Sequence, residues 1–381
     1  MKVAIVTFEI SKIGGIATHA WELFKVLQQH GVDVEQVYLK HSYSTQKALY
    51  NNMKTKKSTF KLGGTQLSLS KKTLKQTLYY LDQFDILFFT HACIHEEDSN
   101  WLDVYKLGKT NLVCISDIYW NKFYPYYDKV IPYVTKFYPT NAAVKNYLKK
   151  NKNINGEVIV HPFDYPEHKL DISKKQETMV WAHQWRNWKG IDDLCEIIPQ
   201  LNCKLLMFGS GRSYSEWRER LAKMPNVEYL GNQPPEQIIQ AYKDSKYSID
   251  LTGRSPEYYG HHNRTTIEPM FFHCLSICYE SLIEPHSHIP IPTCVGLERD
   301  KGQMIKDINE LIERKELWEL FVNNAYEWVR EWYDHKNVIR QVLHAHEDAI
   351  QNADIPAPQN ADIPAPQNAR KEKKNVLWLF D

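Results

Sequence analysis

The feature that most constrains this chain is a short apolar run that breaks at a glycine pair and resumes as a helical pattern. Val3 to Phe8 reads as a buried parallel strand, which passes through Ile13-Gly14-Gly15-Ile16 into an amphipathic segment around His19 to His30. Strand, glycine turn and helix form the opening unit of a nucleotide-type α/β domain. The pair Gly14 and Gly15 lets a ligand approach the backbone, and the helix start favours an anion. Glycine pairs also serve simply to tighten a corner.

The same rhythm runs on. Val32 to Tyr38, Asp85 to Thr90 and Leu112 to Ser116 are further apolar strands, followed by a helix over Thr140 to Lys150 and a strand over Val158 to Val160. A proline-containing polar connector, His161 to Ser173, marks a domain boundary. Beyond it, strands at Glu177 to Val180, Lys204 to Phe208, Val227 to Leu230 and Tyr247 to Leu251 alternate with helices at Gly190 to Leu201, Ser215 to Lys223 and Pro235 to Asp244. Ile305 to Tyr326 and Glu327 to Gln351 are long helical patterns. This alternation predicts an α/β chain of two Rossmann-like domains, residues 1–170 and 171–350, facing across a cleft. QNADIPAP then occurs twice from Gln351 to Pro366, which predicts an extended linker over 351–370. A basic and hydrophobic tail, 371–381, ends in VLWLFD.

Composition narrows the setting. Seven cysteines without a CxxC pair indicate neither a disulfide framework nor a zinc site, so a reducing cytoplasm is expected. No window approaches 18 apolar residues, so no membrane span is expected. Net charge is +1, but residues 1–170 carry 22 lysines against 15 acids, and the first arginine is Arg186. From His41 to Leu81 there are eight lysines, Lys54, Lys56, Lys57, Lys71 and Lys72 among them, and no acid. Such a run attracts polyanions or, equally, serves as a solubilising loop.

In open parallel sheets the ligand crevice lies at the carboxyl ends of the strands. That rule singles out His91 after Asp85–Thr90 and Asp117 after the run ending at Ser116. Tyr119 to Pro139 interleaves aromatics with lysines, beginning Tyr119, Trp120 and Lys122; such mixtures stack on bases and neutralise phosphates, and also occur on ordinary packed surfaces. In the second half, Trp181 to Leu194 reads WAHQWRNWKGIDDL, with Arg186 and Lys189 at a strand-to-helix turn. A planar guanidinium fork and a compact ammonium three residues apart can clamp a diphosphate as a bond to it breaks. Phe208-Gly209-Ser210-Gly211 offers a glycine turn at a strand end, where backbone amides can meet a nucleotide. Glu268, in Ile267-Glu268-Pro269-Met270, can accept both hydroxyls of a ribose or merely complement a helix start. The nearby His261-His262-Asn263 lacks a metal-ligand spacing, and no metal is expected.

Taken together, the glycine pair after the first strand, the Arg186-Asn187-Trp188-Lys189-Gly190 turn, the Phe208–Gly211 turn and the Ile267–Met270 segment resemble the retaining nucleotide-sugar glycosyltransferases of the GT-B fold. The resemblance covers most of residues 1–345. It implies a UDP-sugar donor, with Arg186 and Lys189 on the diphosphate, Glu268 on the ribose, and Gly14, Gly15, Gly209 and Ser210 in the binding turns. The family's second glutamate, eight positions before the ribose glutamate, is replaced by Gly260, while Glu257 lies eleven before; the sugar contact is not carried over. Cys114-Ile115-Ser116-Asp117-Ile118-Tyr119-Trp120, the Trp188-Lys189-Gly190 turn and Gly211-Arg212-Ser213 are similar to the phage DNA α-glucosyltransferases. That likeness implies a 5-hydroxymethylcytosine acceptor in duplex DNA, base flipping, and Asp117 as the acceptor-side catalytic acid. Val376–Asp381 resembles the tails by which replication proteins hook a sliding clamp, or docks back on its own domain. A transferase for a cell-surface polysaccharide or lipid-linked sugar, and a non-catalytic two-domain binding protein with an interaction tail, are the competing expectations.

Overall fold

The computed structural model describes all residues except 9–14, 41–63, 71, 91–98, 116–126, 160–161, 166, 168–169, 186, 212–213, 222, 254–263, 281–282, 284–288, 291 and 353–381. The chain separates into two compact units, Pro166–Glu331 on the one hand, and Met1–Tyr165 with the segment starting at Trp332 on the other.

In the first unit six strands form one parallel sheet: β1 (Lys2–Phe8), β2 (Asp33–Lys40), β3 (Thr65–Ser68), β4 (Ile86–Phe89), β5 (Thr110–Ile115) and β6 (Lys136–Pro139). Their order is β3-β2-β1-β4-β5-β6, and every pairing is parallel. The runs read as continuous and apolar because both faces are covered: Ile86–Phe89 and Thr110–Ile115 are buried throughout. Helix α1 (Gly15–Gln29) follows β1 directly.

The second unit repeats the design. Strands β7 (Gln176–Ala182), β8 (Lys204–Phe208), β9 (Val227–Gly231), β10 (Ser245–Asp250), β11 (Leu275–Tyr279) and β12 (Val295–Leu297) lie in the order β12-β11-β10-β7-β8-β9. Counted within each unit, both sheets have the order 3-2-1-4-5-6, which reverses direction between the first and fourth strands. In the second unit that reversal falls between β7 and β10. Around its sheet, Trp181, Trp185, Leu194, Met207, Ile249, Ile277 and Trp318 belong to a core separate from that of the first unit.

Several elements differ from the sequence expectation. Residues 158–160 were expected to form a strand; the described part runs extended beside β6, with Glu157 N donating to Phe137 O (3.2 Å) and Ile159 N to Pro139 O (3.0 Å). The end of the aromatic and basic stretch is strand β6, whose Phe137 and Tyr138 are core residues. Pro139 ends this strand, and its carbonyl accepts from Ile159 N. The second unit does not extend to residue 350. The last helix, His335–Asn352, belongs to the first unit, where Gln341 Nε2 donates to Val158 O (3.0 Å) and Thr110 Oγ1 lies 2.8 Å from His346 Nδ1. His335 Nε2 donates to Phe163 O (2.7 Å) and fixes where the chain re-enters.

One buried cation anchors the start of β7. Lys175 is 7% exposed, and its ammonium donates to Tyr242 O (2.8 Å), Lys243 O (2.8 Å) and Ser245 O (2.9 Å) at the end of the helix Pro235–Asp244. A cation there satisfies carbonyls that have no partner within the helix and complements its dipole. Lys175→Met strips three acceptors of this donor, and is expected to cost about 2–4 kcal/mol, lowering the melting temperature in a calorimetric scan.

Candidate functional site

The carboxyl ends of β7 and β10 place a compact polar group at the point where strand order reverses. β7 runs into His183 and Trp185 and then, through the 3-10 turn Asn187–Lys189, into the helix Ile191–Ile197, named α2 here. β10 ends at Asp250 and continues through Leu251, Thr252 and Gly253. Residues Arg264–Ile267 form one α-helical turn, and Glu268–Phe272 a 3-10 turn. Pro269 lacks an N–H for the α-helical ladder, which explains the change of helix type at Glu268.

Backbone contacts seat the loop that carries Lys189. Trp185 N donates to Ser210 O (3.1 Å), and Gly253 N to Trp188 O (3.3 Å). On one side Gly209, at φ +103°, packs against His183 O; on the other Gly190, at φ +73°, packs against Leu251 O. A Cβ at either position would overlap that oxygen, so only glycine allows the strand ends to close on the loop. Gly209 N donates to Gly231 O (2.7 Å), and Tyr229 Oη donates to Gly209 O (3.1 Å). The expected amide donor of the Phe208–Gly211 turn is therefore engaged within the sheet at Gly209, whose contribution is close approach.

Asp250 and His183 are the residues the sequence reading missed. Asp250 is 1% exposed. Its Oδ1 accepts from Thr252 N (3.0 Å), and its Oδ2 from the hydroxyls of Thr265 and Thr266 (2.8 Å each). His183 Nε2 lies 3.5 Å from Oδ1. Burial drives the imidazole down to about 4, with Asp250 opposing that effect and Lys189 adding to it. Burial pushes the Asp250 carboxyl up, but His183, Lys189 and the donors from Thr252 and Thr265 outweigh it and hold it well below the ordinary carboxylate range. A charged carboxylate thus sits buried within electrostatic reach of Lys189. The rule that selects Asp117, a polar residue ending an apolar strand, selects Asp250 as well.

Among the other expected site residues, Lys189 Nζ lies 4.3 Å from the centre of the Trp188 ring. Glu268 is mostly buried, and its Oε1 accepts from Arg264 Nη2 (2.8 Å) and Nε (3.1 Å). Gly15 begins α1 at the carboxyl end of β1, Ser210 follows Gly209, and Lys72 is exposed in the turn before helix Leu74–Leu81. Gly14, Lys54, Lys56, Lys57, His91, Asp117, Tyr119, Trp120, Lys122, Arg186, Lys71, Gly260 and the tail Val376–Asp381 lie outside the described residues. Among the described residues no group of three or more His, Cys, Asp or Glu is placed to hold a metal. None of their helices is long and apolar enough to cross a membrane.

With this geometry in view, comparisons place the chain among known folds. Residues 2–114 match the starch synthase catalytic domain family. No curated protein sequence matches the chain. Among solved structures, HepE of Anabaena in complex with UDP superposes with a TM-score of 0.66 at 12% identity, covering 91% of this chain and 100% of that one. An α-glucosyltransferase in complex with UDP-glucose and DNA containing an abasic site gives a TM-score of 0.62 at 12% identity, over 91% and 99% of the two chains. A glycosyltransferase from Rickettsia africae gives 0.63 at 16% identity, over 92% and 99%. The fold is that of the two-sheet α/β glycosyltransferases known as GT-B.

Proposed function

We propose that this protein is a UDP-sugar-dependent retaining glycosyltransferase that transfers a sugar to the hydroxymethyl group of 5-hydroxymethylcytosine in duplex DNA. The observation that carries the donor half is Lys189, held at the strand reversal of a sheet whose fold relatives include structures with UDP and UDP-glucose bound. Lys189 and Arg186 bind the diphosphate, and Glu268, steadied by Arg264, accepts the ribose hydroxyls. The bond between sugar C1 and the β-phosphate oxygen breaks, and UDP leaves with the electron pair. The acceptor oxygen bonds to C1, and its proton passes to Asp117. The two cations gain most as negative charge accumulates on the departing phosphate, so they favour the transition state over the bound donor.

The acceptor half of the reading is supported by the likeness to an α-glucosyltransferase solved with DNA, including a 13-mer containing a HMU base. It is supported as well by the arginine-free, lysine-rich first half. Lys54, Lys56, Lys57, Lys71, Lys72 and Lys122 would neutralise phosphates, and Tyr119 and Trp120 would stack on the flipped base or its neighbours. The tail Val376–Asp381 is assigned to a protein partner such as a sliding clamp. The second reading, a carbohydrate acceptor, is favoured by the match of residues 2–114 to a starch synthase domain.

Incubation with UDP-glucose and other UDP-sugars, separately with hydroxymethylcytosine duplex and with oligosaccharide acceptors, followed by mass analysis, decides between them. A sugar added to the modified nucleoside is the expected result. Transfer to oligosaccharide alone favours the second reading, and no transfer from any donor overturns both.

A further inference from the structure

The buried carboxylate at the end of β10 meets groups from three segments around the second unit's site. Through Oδ1 it holds its own loop, by Thr252 N (3.0 Å). Through Oδ2 it holds the hydroxyls of Thr265 and Thr266, in the helical turn that ends beside Glu268 and contains Arg264. Toward β7 it faces His183 Nε2 at 3.5 Å, on the loop that leads to Lys189. Residues 183 and 250 are far apart in the chain and meet because β7 and β10 are neighbours in the sheet, while residue 265 comes from the turn that follows β10.

We propose, resting on the donor-site reading above, that Asp250 is a positioning residue that fixes Lys189 and Glu268 relative to one another for the diphosphate and ribose of a nucleotide sugar. A buried carboxylate is costly unless its lone pairs are filled and a cation balances it. Here the lone pairs are filled by groups from two different segments, and the balancing cation is the one proposed to meet the donor phosphates. An arrangement of that cost at the strand reversal has a use beyond packing, since packing alone is served as well by an apolar side chain. The chemistry also distinguishes carboxylate from amide. Both hydroxyls donate to Oδ2, and an asparagine that places its NH2 there donates instead of accepting, which turns Thr265 and Thr266 away.

The test is UDP titration calorimetry on the full chain, with wild type, Asp250→Asn, Lys189→Ala and the double variant. Asp250→Asn is expected to weaken UDP at least about tenfold. The double variant is expected to bind within about threefold of Lys189→Ala alone, because the two residues act as one unit. A purely structural Asp250 predicts instead that the two losses multiply. If Asp250→Asn does not fold, Thr265→Val with Thr266→Val keeps the carboxylate and removes its outer donors. It is expected to raise the KM for UDP-sugar while leaving the KM for the acceptor unchanged. Wild type that binds UDP together with multiplying losses, unchanged binding in Asp250→Asn, or an unchanged donor KM in the threonine pair overturns the role of Asp250 alone. Wild type that does not bind UDP removes the donor-site reading and this inference with it.

Discussion

Replacing Lys189 with alanine is expected to lower kcat/KM for the UDP-sugar by about 10²–10³-fold, equivalent to about 3–4 kcal/mol of transition-state stabilisation. The reason lies in how the residue is held. Lys189 closes the 3-10 turn Asn187–Lys189 immediately before Gly190, whose left-handed backbone starts α2. The loop before it is clamped by Ser210 and Gly253 through backbone hydrogen bonds. A cation on so constrained a segment is preorganised, and little reorganisation is needed when the phosphate acquires charge. Because that charge grows along the reaction, kcat should fall together with kcat/KM, whereas loss of simple ground-state attraction would raise KM only. Steady-state kinetics with varied donor separate the two. Lys189→Arg is expected to recover only part of the activity, since a planar fork does not reproduce a compact ammonium. Wild-type kinetics in Lys189→Ala would remove this residue from the donor site.

The second large effect is structural. Gly209→Ala is expected to destabilise the second unit by about 4 kcal/mol or more, a fall in melting temperature of about 8–16 °C for a unit of this size. Two independent penalties combine. The backbone at φ +103° is one that side-chain-bearing residues rarely adopt, and the new Cβ would overlap the carbonyl oxygen of His183. That oxygen belongs to a backbone, so no rotamer change relieves the clash. The peptide of Gly209 is itself tied to Gly231 O and Tyr229 Oη, so the loop cannot retreat without losing those bonds. If β8 and the loop after β7 separate, Trp185 loses its bond to Ser210 O and the Lys189 turn is displaced. Thermal unfolding measures the first consequence, and UDP affinity of the surviving folded fraction measures the second. Contrast this with Gly231, also at positive φ, where an added Cβ meets nothing closer than Tyr229 Oη at 3.5 Å; alanine there should cost only the backbone strain.

Much of the architecture is legible in the residues because buried parallel strands are continuous apolar runs. Val3–Phe8, Asp85–Thr90, Lys204–Phe208 and Tyr247–Leu251 all announce strands close to β1, β4, β8 and β10. The strands that escape include short or polar ones, and also β11, Leu275–Tyr279, a run of five residues buried throughout. β3 is Thr-Gln-Leu-Ser, and β12 has three residues. Their pairing with β2 and β11 comes from neighbours already in place, and not from a local preference. The helix His335–Asn352 was legible as a helix but not as part of the first unit. Periodicity identifies an apolar face without saying which surface it covers, and here that surface includes Thr110, Tyr138 and Val158.

The site divides in the same way. Gly190, Lys189 and Glu268 stand in local motifs whose residue types carry their chemistry, so the sequence alone determines an α/β chain with a cationic strand-to-helix turn in its second half. Only the tertiary structure decides that Asp250 lies beside His183 and that Thr265 and Thr266 turn their hydroxyls to it. The physical reason is the reversal of strand order. Hydrogen bonding between β7 and β10 brings residue 183 against residue 250, and a separation of that length leaves no periodic trace in the chain.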